Sequence, residues 1–292
     1  MKILSTPGWE DYELLDTGYG MRLERFGDYR LIRPDPQIIW KQSLDKEVWA
    51  NADAMFDADT KRWVVKKKLP DKWLLRYHNV AFYAKLSPFK HTGVFPEQIL
   101  QWEWMREKIL RAKRETGRKK INVLNLFGYT GVASLVCAAA GASVTHVDAS
   151  RPTIGWAREN QTASKLSDKP IRWILDDAVK FVQRELKRGV QYDGIVMDPP
   201  VYGHGPEGER WDFNESFPKL LSLCQTVLSD RPLFILINAY ALSSSSLMLQ
   251  NVLEDYVSDL GGVVEVGELA LQEQSAGRLL STGIFARWSR EK

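Results

Sequence analysis

The residues able to do chemistry in this chain of 292 residues stand where apolar runs stop. One run ends in Asn125-Leu-Phe-Gly-Tyr-Thr-Gly131, the next in Asp148, the next in Asp176-Asp177, and the fourth in Asp198-Pro-Pro-Val-Tyr202. Gly128 and Gly131 let a backbone turn sharply and approach a ligand with no Cβ in the way. Asp148 follows Gly131 at the spacing from which an acid accepts hydrogen bonds from the ribose hydroxyls of an adenosine cofactor. Either Asp176 or Asp177 could accept from an adenine amino group, and Asp177 could equally cap a helix. Proline fixes φ, carries no N–H and holds the preceding residue extended. The Asp198 carboxylate and the Pro199 carbonyl therefore form a rim of acceptors for an incoming amino group, with Pro200 closing the turn and Tyr202 placed to stack on a planar base.

The turn chemistry discriminates between cofactors. A nicotinamide dinucleotide needs its pyrophosphate cradled by a full G-x-G-x-x-G turn, and the first glycine is missing here. S-adenosylmethionine carries no phosphate. Its zwitterionic tail needs acceptors and backbone donors, which Asn125 and the turn amides could supply. Methyl transfer requires in-line approach of a nucleophile to a methyl on a positive sulfur, so positioning and charge complementarity are the main work.

Elements that would position these residues alternate regularly from residue 121 onward. Apolar periodicity predicts strands at 121–126, 143–148, 171–175, 192–198, 233–238, 263–269 and 283–288. Helical text separates them at 131–140, 153–164, 178–188, 214–228 and 245–260. This is an α/β pattern, a parallel sheet with helices on both faces, in which ligands bind at the carboxyl ends of strands beside the point where strand order reverses. Residues 96–110 predict a connecting helix with an apolar stripe of Ile99, Trp102, Met105 and Ile109. Residues 1–88 predict a small β-rich domain, 89–120 a connecting segment and 121–292 the larger domain. Trp9, Trp40, Trp49, Trp63 and Trp73 of the first domain suit a small core better than a base-stacking platform.

Composition excludes several classes. No long apolar run or signal peptide is present, which predicts a cytoplasmic protein without membrane contact. Cys137, Cys224 and the four histidines lack metal-ligand spacing, so no metal is expected. The net charge of +3 is uneven: residues 106–120 hold eight basic side chains against Glu107 and Glu115, a local +6 that leaves the remainder at −3. That run is either a solvated helix face or a phosphate-facing patch.

On these residues the chain resembles the class I S-adenosylmethionine-dependent methyltransferases, and among them the RlmI-type family of ribosomal RNA methyltransferases. The segments concerned are His91-Thr-Gly-Val-Phe-Pro-Glu-Gln98, Val123-Leu-Asn-Leu-Phe-Gly-Tyr-Thr-Gly131, Val147-Asp-Ala-Ser150, Trp156-Ala-Arg-Glu-Asn160, Asp176-Asp177 and Asp198-Pro-Pro200. The resemblance implies a Rossmann-like, seven-stranded methyltransferase sheet, S-adenosyl-L-methionine as cofactor and RNA, ribosomal RNA in particular, as substrate. It implies cofactor contact from Asn125, Leu126, Phe127, Gly128, Tyr129, Thr130 and Gly131, with Asp148 and Ala149 at the ribose and Asp176 or Asp177 near the adenine. Thr92, Gly93 and Gln98 would close over the methionine end or link the domains, and Asp198, Pro199, Pro200 and Tyr202 would form the catalytic rim.

Two departures from that family bear on the product. Residues 1–87 show no recognisable PUA domain, the RNA-binding module with which the family begins. Methylation at cytosine carbon 5 needs a cysteine thiolate to add to the ring. The family's cysteine segment reads Leu236-Ile-Asn-Ala-Tyr-Ala-Leu242 here, with no cysteine, which leaves an exocyclic amine or another exposed nitrogen at least as open an acceptor as carbon 5. Alternative readings are a methyltransferase acting on a protein side chain or small molecule, and a non-catalytic RNA-binding protein with this fold. The oligomeric state is not readable from the sequence.

Overall fold

The computed structural model describes residues 1–240 and 244–290. Two compact units are present, one of Met1–Leu4, Leu100–Leu269 and Thr282–Lys292, the other of Ser5–Ile99 and Ala270–Ser281. This division differs from the boundaries read from sequence, because the segment 270–281 belongs with the N-terminal unit. The reason is long-range pairing that local patterning cannot reveal: Gln274 and Ser275 donate their backbone N–H groups to the Leu14 and Leu15 carbonyls, and Thr17 Oγ1 donates to Glu273 Oε2 at 2.5 Å.

After β1 (Lys2–Thr6), the N-terminal unit forms β2 (Tyr12–Gly18), β3 (Met21–Phe26), β4 (Tyr29–Pro34), α1 (Lys46–Ala50), β5 (Ala54–Asp57) and β6 (Arg62–Val65), then the hairpin β7 (Trp73–Tyr77) and β8 (Val80–Ala84). Strands β2 to β6 make one sheet in that order, so β6 is an edge. Its tryptophans serve the interior. Trp49 and Trp73 are buried, and the indole N–H groups of Trp9, Trp40, Trp49 and Trp63 donate to Arg76 O, Thr17 Oγ1, Asp16 Oδ2 and Ser87 O.

An ion cluster lies inside this unit. Glu24 is fully buried and accepts two bonds of 2.6 Å from the Arg33 guanidinium and one of 2.8 Å from the Tyr12 hydroxyl, with Arg22 at 3.4 Å. Burial alone would raise the Glu24 pKa, but the Arg22 and Arg33 charges and the hydrogen bonds outweigh it, and the net shift is downward.

The larger unit begins with α2 (Ile99–Thr116) and continues through β9 (Asn122–Leu126), α3 (Val132–Ala139), β10 (Ser143–Asp148), α4 (Arg151–Ala163), β11 (Ile171–Leu175), α5 (Ala178–Lys187) and β12 (Gly194–Met197). It then forms β13 (Tyr202–His204), β14 (Arg210–Asp212), α6 (Phe213–Thr226), β15 (Phe234–Ala239), α7 (Ser246–Val257), β16 (Val263–Gln272) and β17 (Leu279–Ser289). The main sheet runs β1-β16-β17-β15-β12-β9-β10-β11. From β15 to β11 every pair is parallel, whereas β17 lies antiparallel to β15. The expected seven-stranded methyltransferase sheet is present with an eighth strand, β1, added from near the N-terminus, and β17 makes the parallel sheet a mixed one. The hairpin of β13 and β14 is a second correction, for the glycine-rich text of 201–212 predicts no strands.

Period-two alternation covers both sheet faces. Leu124, Leu126, Ile195, Met197, Ile235 and Ile237 enter one core with α5, α6 and α7, while the intervening residues face the other way. There Asn125 meets Ser134 of α3 and Phe234 meets Trp104 of α2. Trp102, Met105 and Ile109 are buried, as their spacing predicts. The basic run on α2 is laced with partners: Arg111 bonds Glu115 at 2.8 Å, Arg118 bonds Asp193 at 3.2 Å, and Lys113 donates to the Gly141 carbonyl. Among the described residues no helix is long and apolar enough to cross a membrane.

Replacing Glu24 by Gln removes the carboxylate that Arg33 bonds and Arg22 faces, leaving Glu97 and Asp35 as the acids acting on Arg22. Urea unfolding followed by tryptophan fluorescence is expected to show a loss of about 3–5 kcal/mol. Since the folded Glu24 pKa lies below its unfolded value, its stabilisation is present above the unfolded pKa and is lost as pH falls through the folded one, a slope the variant should lack.

Candidate methyl-transfer site

Strand order reverses at β9, which lies between β10 and β12. The turn after β9 is the most constrained backbone of the unit. Phe127 and Tyr129 adopt left-handed conformations with φ of 56° and 51°, and Gly131 has φ of 84°. Side chains at the first two positions make this arrangement costly unless neighbours enforce it.

The enforcing groups can be named. A Cβ on Gly128 would overlap the His146 ring, and one on Gly131 would lie 3.0 Å from both Ala157 Cβ and Trp173 Cη2. His146 is fully buried, with its Nδ1 3.0 Å from Ser134 Oγ, and that hydroxyl accepts from Asn125 Nδ2 at 2.9 Å. Burial pushes the His146 pKa down to about 3, so the imidazole is neutral at working pH. Asn125, His146 and Ser134 form a brace beneath the turn. Asn125 is therefore a buried support of the turn, and Leu126 and Thr130 are buried as well. Thr130 offers its carbonyl to Asn160 Nδ2 at 2.9 Å.

Asp148 at the end of β10 ties the turn to the next strand. Its Oδ2 accepts from Tyr129 N at 2.8 Å, and its Oδ1 accepts from Ser150 N at 2.8 Å and Thr153 Oγ1 at 2.9 Å. A carboxylate has about four acceptor positions. Three are used, leaving capacity on Oδ2 for an outside donor such as a ribose hydroxyl. Burial raises the Asp148 pKa, and the hydrogen bonds from Ser150, Tyr129 and Thr153 oppose that shift without cancelling it. Ala149 is half-buried next to it. At the end of β11, Asp177 caps α5 by accepting from Lys180 N at 2.9 Å. Asp176 accepts from Asp177 N and is ion-paired with Arg184.

Asp198 follows β12 directly, and its N–H reaches the Leu126 carbonyl at 3.4 Å, bringing the Asp-Pro-Pro turn beside the β9 turn. Pro199 is buried and Pro200 exposed. The Pro200 carbonyl accepts from Trp211 Nε1 at 2.7 Å, and Val201 O accepts from Phe213 N at 2.9 Å, fixing the β13–β14 hairpin to the turn. On that hairpin Tyr202 is 53% exposed, with the Arg210 guanidinium 5.9 Å from its ring centre and His204 Nε2 3.3 Å from its hydroxyl. Sequence reasoning missed His146, Ser134 and the hairpin. The Ser134–His146 pair joins two elements through space, and only an apolar-face histidine in 143–148 hinted at it.

Cys137 and Cys224 are buried, and burial pushes the Cys137 thiol up to about 12 and the Cys224 thiol upward as well. Neither supplies a thiolate. Of the segment 236–242, Ala241 and Leu242 lie outside the described residues, as do residues 291 and 292 of the expected larger domain. Thr92, Gly93 and Gln98 belong to the N-terminal unit, where Thr92 and Gln98 are buried and Gly93 has φ of 99°.

This donor set fits S-adenosylmethionine: a tight glycine turn whose backbone is held by its neighbours, next to a buried carboxylate with spare acceptor capacity. Gly128→Ala is expected to weaken S-adenosylhomocysteine binding at least tenfold in calorimetry, about 1.4 kcal/mol. Gly128→Ala with His146→Ala, which removes the clashing ring, should recover part of that loss. Because Asp148 accepts best when ionised and its pKa is raised, affinity should decline on acidification at a higher pH than an exposed aspartate would give.

No family model matches the chain. The chain is 27% identical over 248 residues to the ribosomal RNA large subunit methyltransferase K/L of Shewanella sp. (strain MR-4), and 26% identical over 277 residues to that of Pseudoalteromonas atlantica. These matches cover 76% and 87% of this chain but only 33% and 36% of the relatives, so the chain spans about a third of their length. The resemblance of the sequence was to the RlmI type, whereas these relatives are of the K/L type. The fold is shared with SMU.776 complexed with SAH, at a TM-score of 0.69 and 18% identity over 92% of this chain and 71% of that one. The crystal structure of the SAM-dependent methyltransferase from Agrobacterium tumefaciens superimposes with a TM-score of 0.94 and is 44% identical, covering 99% of this chain and 94% of that one. Identity at that level over nearly the full length of both chains shows that this chain belongs to the S-adenosylmethionine-dependent methyltransferases.

Proposed function

We propose that the protein methylates an exocyclic amino group of a base in RNA, with ribosomal RNA as the substrate class. The observation that carries this reading is the Asp198-Pro199-Pro200 turn, held against the β9 turn by the Asp198 N–H and followed by an exposed tyrosine. Distant similarity to ribosomal RNA methyltransferases supports RNA as the acceptor.

When bound, the cofactor supplies an electrophilic methyl group on a sulfonium. The chain's own residues do the rest. Asn125, Ser134 and His146 hold the turn from beneath, while Asp148 accepts from the ribose and Asp176 from the adenine edge. The Asp198 carboxylate and the Pro199 carbonyl accept the two N–H bonds of the amino group. That leaves its nitrogen lone pair directed at the methyl, and Asp198 favours departure of the proton as positive charge grows on nitrogen. Tyr202 presents an aromatic face for a base taken out of its stack. With both thiols buried and their pKa values raised, neither cysteine is set up to add to a pyrimidine ring and activate its carbon 5.

Incubation with methyl-labelled S-adenosylmethionine and RNA from a strain lacking the gene should label RNA. Asp198→Ala should abolish transfer while S-adenosylhomocysteine affinity stays within about tenfold. Label that appears in protein or small molecules and never in RNA would replace this reading with an alternative acceptor, and full activity in the variant would remove the turn from the mechanism.

A further inference from the structure

On the N-terminal unit, residues 61–68 read Lys-Arg-Trp-Val-Val-Lys-Lys-Lys, five cations with no acid, and all five are exposed. They flank or form β6, the edge of its sheet. Lysines on an edge strand commonly serve only to prevent edge-to-edge pairing. A second observation sets this edge apart. Phe89 is 72% exposed, yet its backbone is locked: Trp63 Nε1 donates to the carbonyls of Ser87 at 2.9 Å and Phe89 at 3.1 Å. Ser87 Oγ in turn donates to His91 O at 2.7 Å and accepts from Phe89 N at 3.2 Å. These bonds fix the loop with the Phe89 ring in solvent, beside the cationic strand that carries Trp63.

Trp63 anchors that loop on the cationic strand itself. We propose that β6 and the Phe89 loop form a docking surface for unpaired RNA, the cations following the phosphates and the Phe89 ring stacking on a base. Lys67 is already engaged by Asp53 at 3.2 Å and by Asn51 O at 2.7 Å, and Lys66 makes one longer bond, to Ala50 O at 3.5 Å, which leaves Lys61, Arg62 and Lys68, with Lys66, as the principal phosphate contacts. Cations beside an aromatic face are the combination by which single strands are gripped without reading sequence. An apolar partner would instead need a broader apolar patch than Phe89, Val64 and Val65 provide. The proposal rests on the RNA reading of the function and names where on this chain the substrate is gripped.

The test uses the full chain, with fluorescein-labelled oligo(U) and an RNA duplex of equal length in anisotropy titrations at several salt concentrations. Phe89→Ala should weaken oligo(U) binding roughly five- to hundredfold with little effect on the duplex. The triple variant Arg62→Gln, Lys66→Gln, Lys68→Gln should reduce the slope of log affinity against log salt. Both variants should bind S-adenosylhomocysteine as the wild type does and melt at the same temperature. If wild type binds oligo(U) and both variants bind it equally well with the same salt slope, this surface is wrong while the RNA reading stands. Wild type that binds neither RNA at low salt overturns the RNA reading and the surface with it. Tighter binding of the duplex, unaffected by Phe89→Ala, overturns the stacking contact.

Discussion

One hydrogen bond holds the chemistry-bearing end of the sheet together, from the Tyr129 N–H to the buried Asp148 carboxylate at 2.8 Å. It joins the turn of one strand to the end of its neighbour at the place where strand order reverses. Tyr129 offers that N–H from a left-handed conformation, next to Gly128, under which His146 lies, held through Ser134 to Asn125. A strained turn is thus stabilised by a dry, neutral polar brace, and the strain places backbone amides and an acid around one small volume. Fixed dipoles of this kind need no reorganisation as charge shifts from sulfur to an acceptor nitrogen.

The residues that show in sequence are those whose chemistry is local. Glycines that must turn, an acid closing a strand and prolines that abolish donors declare themselves within a few positions, and the structure brings the β9 turn, Asp148, Asp176 and Asp198 to the carboxyl ends of adjacent strands. Strand and helix positions were legible for the same reason, since burial on two faces leaves periodicity in the text. What escaped was set by distance along the chain. β1 joins the sheet from the N-terminus, the 270–281 segment pairs with β2, and the Ser134–His146 contact bridges two elements. Asp177 shows the limit of residue type: helix cap and adenine acceptor require the same carboxylate, and the cap bond to Lys180 N shows only in the fold.

Charge tells a similar story. The basic run on α2 was the most conspicuous feature of the sequence, yet much of it is spent on Glu115, Asp193 and a helix-end carbonyl. Five cations around β6 attract less notice because acids lie nearby in sequence, but the fold leaves them in solvent beside an exposed phenylalanine. In the same unit Glu24 and its two arginines sit inside, where paired charges fix a geometry instead of reading a partner.

The account turns on an amine acceptor at the Asp198 rim, in a protein whose two thiols are buried. Mass spectrometry of nucleosides from ribosomal RNA of cells with and without the gene addresses it most directly. The account predicts that a nucleoside methylated on an exocyclic amine disappears when the gene is removed. Loss of 5-methylcytidine, or an unchanged nucleoside profile, would contradict it.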